Sequence, residues 1–238
     1  MSTAIDLTGK IALITGASKG IGAAVAKAYA KAGAHVILVA RNQSALEKID
    51  DEIQADGGTA TLMPLDLMKL EDLDKLGPAL AQKFGKLDIF VGNAGMLGTL
   101  TPLPQISTRE FQHVMDTNLN ANFRLIKTLD PLLQASEAGR VIFVTTGDSV
   151  VNGQAYWGTY AISKAALETM ASVYASENAQ SNVNINLIDP GKVRTDMRAS
   201  AKPGEDPLSL PTPEDIVDQF LGLVSHQCTK NGEKIILS

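Results

Sequence analysis

The chain alternates short apolar runs, rich in β-branched residues, with longer amphipathic stretches of mixed polar and apolar residues. The apolar runs predict seven strands, at residues 10–15, 35–40, 59–65, 87–91, 140–146, 182–188 and 233–237. The amphipathic stretches predict six helices, at residues 21–31, 44–55, 70–84, 107–134, 160–180 and 213–225. This rhythm is typical of β-α-β units. It predicts an α/β fold with a doubly wound, mainly parallel seven-stranded sheet and helices on both faces.

Local stop signals mark the ends of several predicted helices, and no linker separates the predicted elements. Gly33, Gly57 and Gly85 follow three of the predicted helices, where a left-handed cap suits glycine. Residues from about 196 to 211 are loop-like and long enough to form a lid over a substrate. Because the chain contains no repeat or low-complexity tract, we expect residues 1–238 to form a single domain.

Composition and charge exclude several classes of protein. The 238 residues are 45% hydrophobic, enough for one sizeable core, and the net charge of -5 without any basic block argues against a nucleic-acid binder. Cys228 is the only cysteine, so no intramolecular disulfide can form. The N-terminal ten residues lack the apolar stretch of a signal or anchor, and no segment approaches the roughly 20 apolar residues of a membrane span. We expect a cytoplasmic protein without nucleic-acid or membrane partners.

A glycine-rich segment, TGASKGIG at residues 15–22, connects the first predicted strand to the first predicted helix. Glycine lets the backbone turn tightly and approach a pyrophosphate, whose charge is stabilised by the N–H groups at the helix N-terminus. An ordinary strand-to-helix turn could also contain glycines, but the strand-loop-helix context favours nucleotide binding. The expected contacts are Gly16, Ser18, Lys19, Gly20, Ile21 and Gly22.

The end of the second predicted strand indicates which nucleotide is bound. An acidic residue there would bind the ribose hydroxyls of NAD, whereas a guanidinium pairs with the 2′-phosphate of NADP. Ala40 takes the place of the acid, Arg41 follows it, and Lys19 can reach the same region. Either cation alone could equally be a solvated surface residue. Together they favour NADP(H) over NAD(H).

Two short segments follow the third and fourth predicted strands, at the edge where an open parallel sheet binds its ligands. Asp66 and Leu67 form the first segment, in which Asp66 is expected to accept a hydrogen bond from the adenine amino group. Asn93, Ala94 and Gly95 form the second, which allows the backbone to approach the cofactor closely. Either segment alone would be an ordinary turn, so their order and position carry the prediction.

Tyr160 and Lys164 are four residues apart at the start of a predicted helix, so their side chains lie on one face. A nearby ammonium stabilises phenolate, which predicts a lowered pKa for Tyr160 and a usable general acid/base. Alone, such a pair would more often be a packed tyrosine beside a solvated lysine. With the glycine loop upstream, it predicts a catalytic pair.

The combination of these segments resembles the classical short-chain dehydrogenase/reductase family over essentially the whole chain. The matching elements are the TGxxxGxG loop, Asp66, the NAG tripeptide at 93–95, Asn118, the YxxxK pair, and Pro190-Gly191 with Thr195. The resemblance implies a Rossmann-like fold and hydride transfer between NADP(H) and a small carbonyl or secondary alcohol substrate, whose identity stays open. It also implies a homodimer or homotetramer that associates through the predicted helices 107–134 and 160–180.

The resemblance implies roles for individual residues around the catalytic pair. Tyr160 transfers the proton at the substrate oxygen, while Lys164 lowers its pKa and holds the nicotinamide ribose. Thr146 stands at the position of the family's catalytic serine, with Ser149 as the alternative because the following loop is slightly longer than usual. Asn118 matches an asparagine that holds a water linking the lysine to solvent.

The turn Pro190-Gly191 resembles the one that passes the nicotinamide, with Val193 beside it and Thr195 bonding the carboxamide. Gly92 replaces the first asparagine of the family's Asn-Asn-Ala-Gly pattern. No metal site is expected. The alternative function is a cofactor-binding regulatory or scaffold protein of the same fold with little or no turnover, which only the threonine at position 146 supports.

Overall fold

The computed structural model describes residues 5–237 and contains all seven predicted strands, so the predicted domain 1–238 extends slightly beyond the described range. The strands are β1 (Ile11–Thr15), β2 (His35–Ala40), β3 (Thr59–Pro64), β4 (Ile89–Gly92), β5 (Gly139–Val144), β6 (Val183–Asp189) and β7 (Lys234–Ile236). Every residue of β4 and β5 is buried, as expected for parallel strands covered on both faces.

The helices of the described residues lie between these strands. They are α1 (Gly20–Lys31), α2 (Gln43–Ala55), α3 (Leu70–Leu73), α4 (Leu76–Phe84), α5 (Thr108–Met115), α6 (Ala121–Gln134), α7 (Asp148–Val151), α8 (Gly158–Glu177), α9 (Asp196–Ala201) and α10 (Val217–Val224). A π-helical turn, Asp116–Asn120, joins α5 to α6. Gly33, Gly57 and Gly85 have positive φ after α1, α2 and α4, which confirms the predicted helix ends.

The prediction of one helix over residues 70–84 was wrong: Pro78 has no N–H to donate to the backbone oxygen of Asp74, and a side chain from α6 bonds that oxygen instead, between α3 and α4. Thr128 Oγ1 donates to the backbone oxygen of Asp74 and accepts from the N–H of Gly77, both at 3.1 Å. These bonds replace helical bonds at the break. A Cβ at Gly77 would lie 2.1 Å from the Thr128 backbone oxygen, so α4 and α6 pack with backbones in close approach.

All six strand pairings are parallel, in the order β3-β2-β1-β4-β5-β6-β7. The order reverses between β1 and β4, so a crevice opens outside the carboxyl ends of these two strands. The glycine loop follows β1 and the NAG tripeptide follows β4. The topology therefore brings two of the predicted cofactor-binding segments together at this crevice.

Helices cover both faces of the sheet, each over its own core. Residues of α1, α2 and α10 form one core, in which Tyr29 Oη donates to the backbone oxygen of the buried Phe220 at 3.1 Å. Residues of α4, α6 and α8 form the other core. Leu13 of β1 points to the second core while Ile14 points to the first, since side chains alternate along a strand. The sheet thus fixes α8, which carries the predicted catalytic pair.

Candidate active site

The glycine loop leaves the N-terminus of the 12-residue helix α1 without a side-chain cap. Lys19 occupies the N-cap position in an extended conformation, and its side chain makes no capping bond. Gly16 and Gly20 have φ values of 67° and 58°, a region that residues with side chains rarely adopt. The first N–H groups and the positive end of the helix dipole therefore remain available for a phosphate at the crevice.

Asn93 fastens the glycine loop to the end of β4. Its Nδ2 donates to the backbone oxygens of Thr15 at 2.8 Å and Gly16 at 3.4 Å. Thr15 Oγ1 accepts from the N–H groups of Asn93 and Ala94, both at 3.0 Å. A Cβ at Gly22 would lie 2.4 Å from Asn93 Nδ2, so only glycine fits there. The Asn93 side chain thus positions the loop, and sequence reasoning missed its partner Thr15.

Gly95 keeps a space open above Lys164. A Cβ at Gly95 would lie 3.6 Å from both Lys164 Nζ and Asn118 Oδ1. Across the crevice, a Cβ at Gly20 would lie 3.5 Å from the methyl group of Thr195. Side chains at these two glycine positions would fill the space between the glycine loop, the lid and α8. The residues present therefore fit a dinucleotide lying across the crevice.

Of the three residues predicted to select NADP, two lie at the end of β2, and the third, Lys19, has an unexpected partner. Ala40 ends β2, and Arg41 follows it with an exposed side chain. Lys19 Nζ donates to Asp196 Oδ2 at 2.6 Å, in an exposed ion pair that joins the glycine loop to α9. Such exposed pairs contribute little to stability, so Lys19 can exchange this partner for a phosphate.

Asp66 and Leu67 lie just beyond β3, at the carboxyl edge of the sheet. Asp66 Oδ1 accepts from the N–H of Met68 at 3.1 Å, which closes a local turn. Leu67 is buried in the second core. The half-buried Asp66 carboxylate is therefore held at the edge where the sequence analysis expects the adenine.

Tyr160 and Lys164 lie in the first part of α8 and are buried, with 8% and 3% of their surfaces exposed. The Lys164 ammonium lies 5.8 Å from the centroid of the Tyr160 ring. Lys164 Nζ also donates to the backbone oxygen of Val144, the last residue of β5, at 2.8 Å. The ammonium is thus anchored to the sheet and placed beside the phenol.

Burial moves the pKa values of these two groups in opposite directions. It raises the pKa of Tyr160 to about 12; a hydrogen bond with the Thr146 side chain opposes the rise and the charge of Asp189 adds to it. Burial lowers the pKa of Lys164 to about 8, against the charge of Glu168. The predicted lowering of the Tyr160 pKa was therefore wrong for this structure, because desolvation outweighs the hydrogen bond with Thr146. Tyr160 is therefore protonated at neutral pH, and the protonated phenol is the form that acts as an acid.

Thr146 and Ser149 lie in different environments, although both follow β5. Thr146 is half-buried, and its side chain is the hydrogen-bond partner that opposes the rise in the Tyr160 pKa. Ser149 lies on the short helix α7 with its side chain exposed. The structure therefore brings Thr146, and not Ser149, to the phenol.

Asn118 lies in the π-helical turn and is fully buried. Its Oδ1 accepts from the N–H of Met96 at 2.7 Å, while its Nδ2 donates to the Met96 backbone oxygen and to Ser163 Oγ, both at 2.9 Å. Ser163 Oγ donates to the backbone oxygen of Tyr160 at 2.8 Å. Asn118 thus ties the segment after β4 to α8, through a serine that sequence reasoning missed. The expected water beside Asn118 stays a prediction.

Pro190 and Gly191 turn the chain at the end of β6, on the carboxyl side of the sheet. Gly191 has a φ of 67°, and a Cβ there would lie 2.6 Å from the backbone oxygen of Leu237. Val193 is buried in the first core. The close approach of two backbone segments therefore explains the glycine of this turn, independently of any ligand.

The predicted lid, residues 196–211, begins with the helix α9 and is more ordered than its composition suggests. Thr195 Oγ1 caps α9 by accepting from the N–H of Arg198 at 3.2 Å. The Arg198 guanidinium pairs with both carboxylate oxygens of Glu205, which closes the lid segment on itself. Met197 packs against the cluster that contains Tyr160. The lid therefore contacts the apolar cluster to which Tyr160 belongs.

Apolar side chains surround the Tyr160 ring. The cluster consists of Val150, Tyr160 and Ala161, with Leu97, Trp157 and Met197 packed against it. The Trp157 and Tyr160 rings are 5.9 Å apart between centroids, at 61°. Tyr156, directly before Trp157, is exposed and has a φ of 73°, which is unusual for a residue with a side chain. A substrate group next to Tyr160 would meet an apolar wall.

Three charged residues that the sequence analysis did not single out lie near the catalytic pair. Asp189, the last residue of β6, is 4% exposed, and burial raises its pKa. Glu168 follows Lys164 by one turn of α8 and forms an ion pair with Lys234 of β7, at 2.8 Å. The residues come from distant parts of the chain, so no sequence spacing indicates that they meet.

Comparison with known proteins settles the family. The sequence model of the short chain dehydrogenase family matches residues 10–206. This chain belongs to the short-chain dehydrogenase/reductase family. The match covers the glycine loop, Tyr160, Lys164 and most of the predicted lid, which confirms the resemblance inferred from the motifs.

Relatives of this short-chain dehydrogenase include the uncharacterized oxidoreductase YciK of Escherichia coli (strain K12), which is 41% identical over 221 residues, or 92% of this chain and 87% of YciK. A solved short chain dehydrogenase from Escherichia coli CFT073, complexed with NADPH, gives a TM-score of 0.93 at 40% identity and 98% coverage of both chains. A second solved short chain dehydrogenase, from Shigella flexneri 2a str. 301 and complexed with NADP, gives a TM-score of 0.93 at 39% identity. The alignment covers 98% of this chain and 99% of that chain. The dehydrogenase is thus an oxidoreductase of a family that binds nicotinamide cofactors.

No helix within residues 5–237 combines the length and the apolar character that crossing a bilayer requires. In the same part of the chain, no three or more His, Cys, Asp or Glu side chains are grouped so that they could hold a metal ion.

Proposed function

We propose that this short-chain dehydrogenase transfers a hydride between NADP(H) and a carbonyl or secondary alcohol substrate, with Tyr160 as general acid/base. The observation that carries this proposal is the buried phenol of Tyr160 beside the Lys164 ammonium, next to the crevice at Gly95. When bound, the nicotinamide cofactor supplies or accepts the hydride. The uncapped end of α1 would hold its pyrophosphate, and Val193 and Thr195 would flank its nicotinamide end.

Residues of the chain itself transfer the proton to and from the substrate oxygen. In the direction of reduction, Tyr160 Oη donates its proton to the substrate oxygen as negative charge develops there. Lys164, whose pKa of about 8 keeps it protonated at neutral pH, stabilises the phenolate that forms. The Thr146 hydroxyl orients the substrate oxygen by a hydrogen bond, and Asn118 holds the start of α8 through Ser163. Oxidation of an alcohol reverses these steps.

Consumption of NADPH in the presence of a panel of aldehydes and ketones tests the proposal. The apolar wall formed by Leu97, Trp157 and Met197 favours carbonyls with an apolar group beside the C=O. Turnover that requires Tyr160 would support the proposal. NADPH binding without turnover of any carbonyl would favour the regulatory or scaffold alternative, in which the fold holds the cofactor but performs no chemistry.

Arg41→Ala is expected to weaken NADPH binding by about 10 to 100-fold and to leave NADH binding nearly unchanged, because it removes a charge-assisted contact to the 2′-phosphate. Ala40→Asp should reduce the preference further, since the new carboxylate repels the phosphate and accepts from the ribose hydroxyls. Fluorescence titration of both cofactors at low salt measures these affinities. Equal affinity of the unmodified enzyme for NADPH and NADH would contradict the NADP assignment. The NADPH and NADP complexes of the two solved relatives support it.

Thr146→Ala is expected to lower kcat by about 10 to 100-fold with little change in NADPH affinity, because one hydrogen bond to the developing charge is lost. Ser149→Ala is the matched control and should have near-normal activity, since this hydroxyl is exposed on α7. Thr146→Ser should retain activity. A larger loss in Ser149→Ala than in Thr146→Ala would reverse the assignment of the hydroxyl.

Self-association completes the proposal, since α6 and α8 carry exposed apolar side chains in addition to those they bury. Phe123 on α6 and Ile162 and Val173 on α8 are exposed in the single chain, as expected for helices that pack on both a sheet and a second copy. Light scattering at micromolar concentration should therefore give a dimer or tetramer. A single domain and a cytoplasmic location remain predictions from the sequence.

A further inference from the structure

Lys234 joins three segments that carry the active site. Its Nζ donates to Glu168 Oε1 at 2.8 Å and to Asp148 Oδ1 at 2.6 Å. The same Glu168 oxygen accepts from Thr145 Oγ1 at 2.6 Å. Thr145 directly precedes Thr146, and Glu168 lies one turn beyond the catalytic lysine on α8. One ammonium on β7 thus holds the end of β5, the start of α7 and the middle of α8.

The two ion pairs of Lys234 differ in strength because they differ in burial. The side chains of Lys234 and Glu168 are 17% and 21% exposed, so water and salt screen their attraction only in part. Asp148 is exposed, and its pair contributes less. Loss of the Lys234 charge would therefore leave Glu168 as a poorly solvated carboxylate without its cation.

Asp189 is a third carboxylate in this region, and it is more deeply buried. Its Oδ1 accepts from the N–H of Gly191 at 3.0 Å, and a Cβ at Gly147 would lie 3.6 Å from its Oδ2. β7 runs beside it, with Leu237 donating its N–H to the Asp189 backbone oxygen at 2.9 Å. Burial raises the pKa of Asp189, and the charge of Lys234 opposes this rise.

Charged groups reach the catalytic pair from four elements. Glu168 comes from α8 itself, Asp189 from β6, Asp148 from α7 and Lys234 from β7. In addition to burial, Asp189 raises the pKa of Tyr160, and Glu168 opposes the fall in the Lys164 pKa that burial causes. Among these four groups Lys234 is the only cation: it forms ion pairs with Glu168 and Asp148, and its charge opposes the rise in the Asp189 pKa.

We propose that Lys234 is a positioning residue of the reaction. Its positive charge offsets the negative charge of the three carboxylates around it and so sets the electrostatic potential at Tyr160 and Lys164. Through Glu168 it also holds the end of β5 against α8. It touches neither of the two catalytic groups and acts through Glu168 and Asp189. The inference rests on the proposed function, in which Tyr160 is the acid and Lys164 the charge that stabilises its phenolate.

Lys234→Met tests the inference, because it removes the charge and keeps the length of the side chain. The uncompensated carboxylates should raise both pKa values. Two midpoints above pH 7 should therefore move up by about 0.5 to 1 pH unit: that of kcat/KM for carbonyl reduction and that of NADPH affinity, since both need protonated Lys164. Glu168→Gln removes a negative charge and should move both midpoints down. In the double variant, which combines Lys234→Met with Glu168→Gln, both midpoints should lie close to those of the unmodified enzyme.

Lys230→Met is the matched control. Lys230 is an exposed lysine on the same C-terminal segment, paired with Glu233 and not with the catalytic region, so its loss should move neither midpoint. A slower Lys234→Met enzyme with unchanged midpoints would overturn the inference and leave Lys234 with a structural role only. If Lys234→Met fails to fold, the downward shift in Glu168→Gln decides. If no carbonyl is turned over, the proposed function fails, while the midpoint of NADPH affinity still tests the inference.

Discussion

Replacement of Tyr160 by phenylalanine is expected to reduce turnover by about 100-fold or more, while the fold and the NADPH affinity stay unchanged. The substitution deletes the proton donor but keeps the ring that packs against Trp157 and Met197. It also removes a buried phenol whose ionisation the site disfavours, so no charge is left uncompensated. Steady-state kinetics and cofactor titration on the same preparation separate the chemical step from binding.

Tyr174→Phe is the control for Tyr160→Phe, because it deletes another phenol hydroxyl from the same helix. Tyr174 is also buried, and its Oη donates to Asp130 Oδ1 at 2.6 Å, away from the crevice. Its loss should lower the free energy of unfolding and leave kcat near normal. Near-normal turnover in Tyr160→Phe would eliminate the acid/base role of this tyrosine.

Lys164→Met is expected to lower kcat/KM by about 100-fold or more and to weaken NADPH binding as well, because one ammonium serves both the phenolate and the ribose. Methionine keeps the length of the side chain and fits the apolar surroundings, so the loss reports on the charge. An unchanged NADPH affinity would remove the proposed contact with the ribose and leave only the effect on Tyr160.

The same variant should change stability in the opposite direction to activity. Burial lowers the pKa of Lys164 to about 8, so the folded chain disfavours its charge. This penalty is fully present below pH 8 and disappears as the pH rises above the pKa of a lysine in the unfolded chain. The free energy of unfolding of Lys164→Met at pH 7 should therefore equal or exceed that of the unmodified enzyme, as measured by denaturant titration. A large loss of stability would indicate that the bond to Val144 outweighs the penalty.

Local patterns explain why the strands and most helix boundaries could be predicted. A buried parallel strand needs only a short apolar run, and a helix end at Gly33 or Gly85 needs only a glycine at the left-handed position. The contact of Thr128 at the break between α3 and α4 could not be predicted, because Thr128 is more than fifty residues away in the chain. The sequence also carries a local stop signal, the Gly77-Pro78 pair, which the prediction overlooked: Pro78 has no N–H to donate to the Asp74 backbone oxygen.

In the candidate site, too, the features set by local sequence were predictable and those set by tertiary contacts were not. Its glycines, Tyr160 and Lys164 are recognisable because the spacing that makes them useful is a local spacing on one loop or one helix. The pKa of Tyr160 was predicted in the wrong direction, since its sign depends on depth of burial, which a four-residue spacing does not contain. Contacts such as those of Lys234 with Glu168 exist only once the sheet has assembled.

Lys19 has two anionic partners in the proposed complex: it pairs with Asp196 of α9, and it is expected to contact the 2′-phosphate of NADP(H). An ammonium placed between two anions in different directions cannot satisfy both at full strength, so binding of a 2′-phosphate and fastening of α9 compete for it. In the proposed complex, NADP(H) would draw Lys19 away from Asp196, whereas NAD(H) would leave this ion pair intact. A mutation at position 19 would therefore alter both the selection of the nucleotide and the contact between the glycine loop and α9.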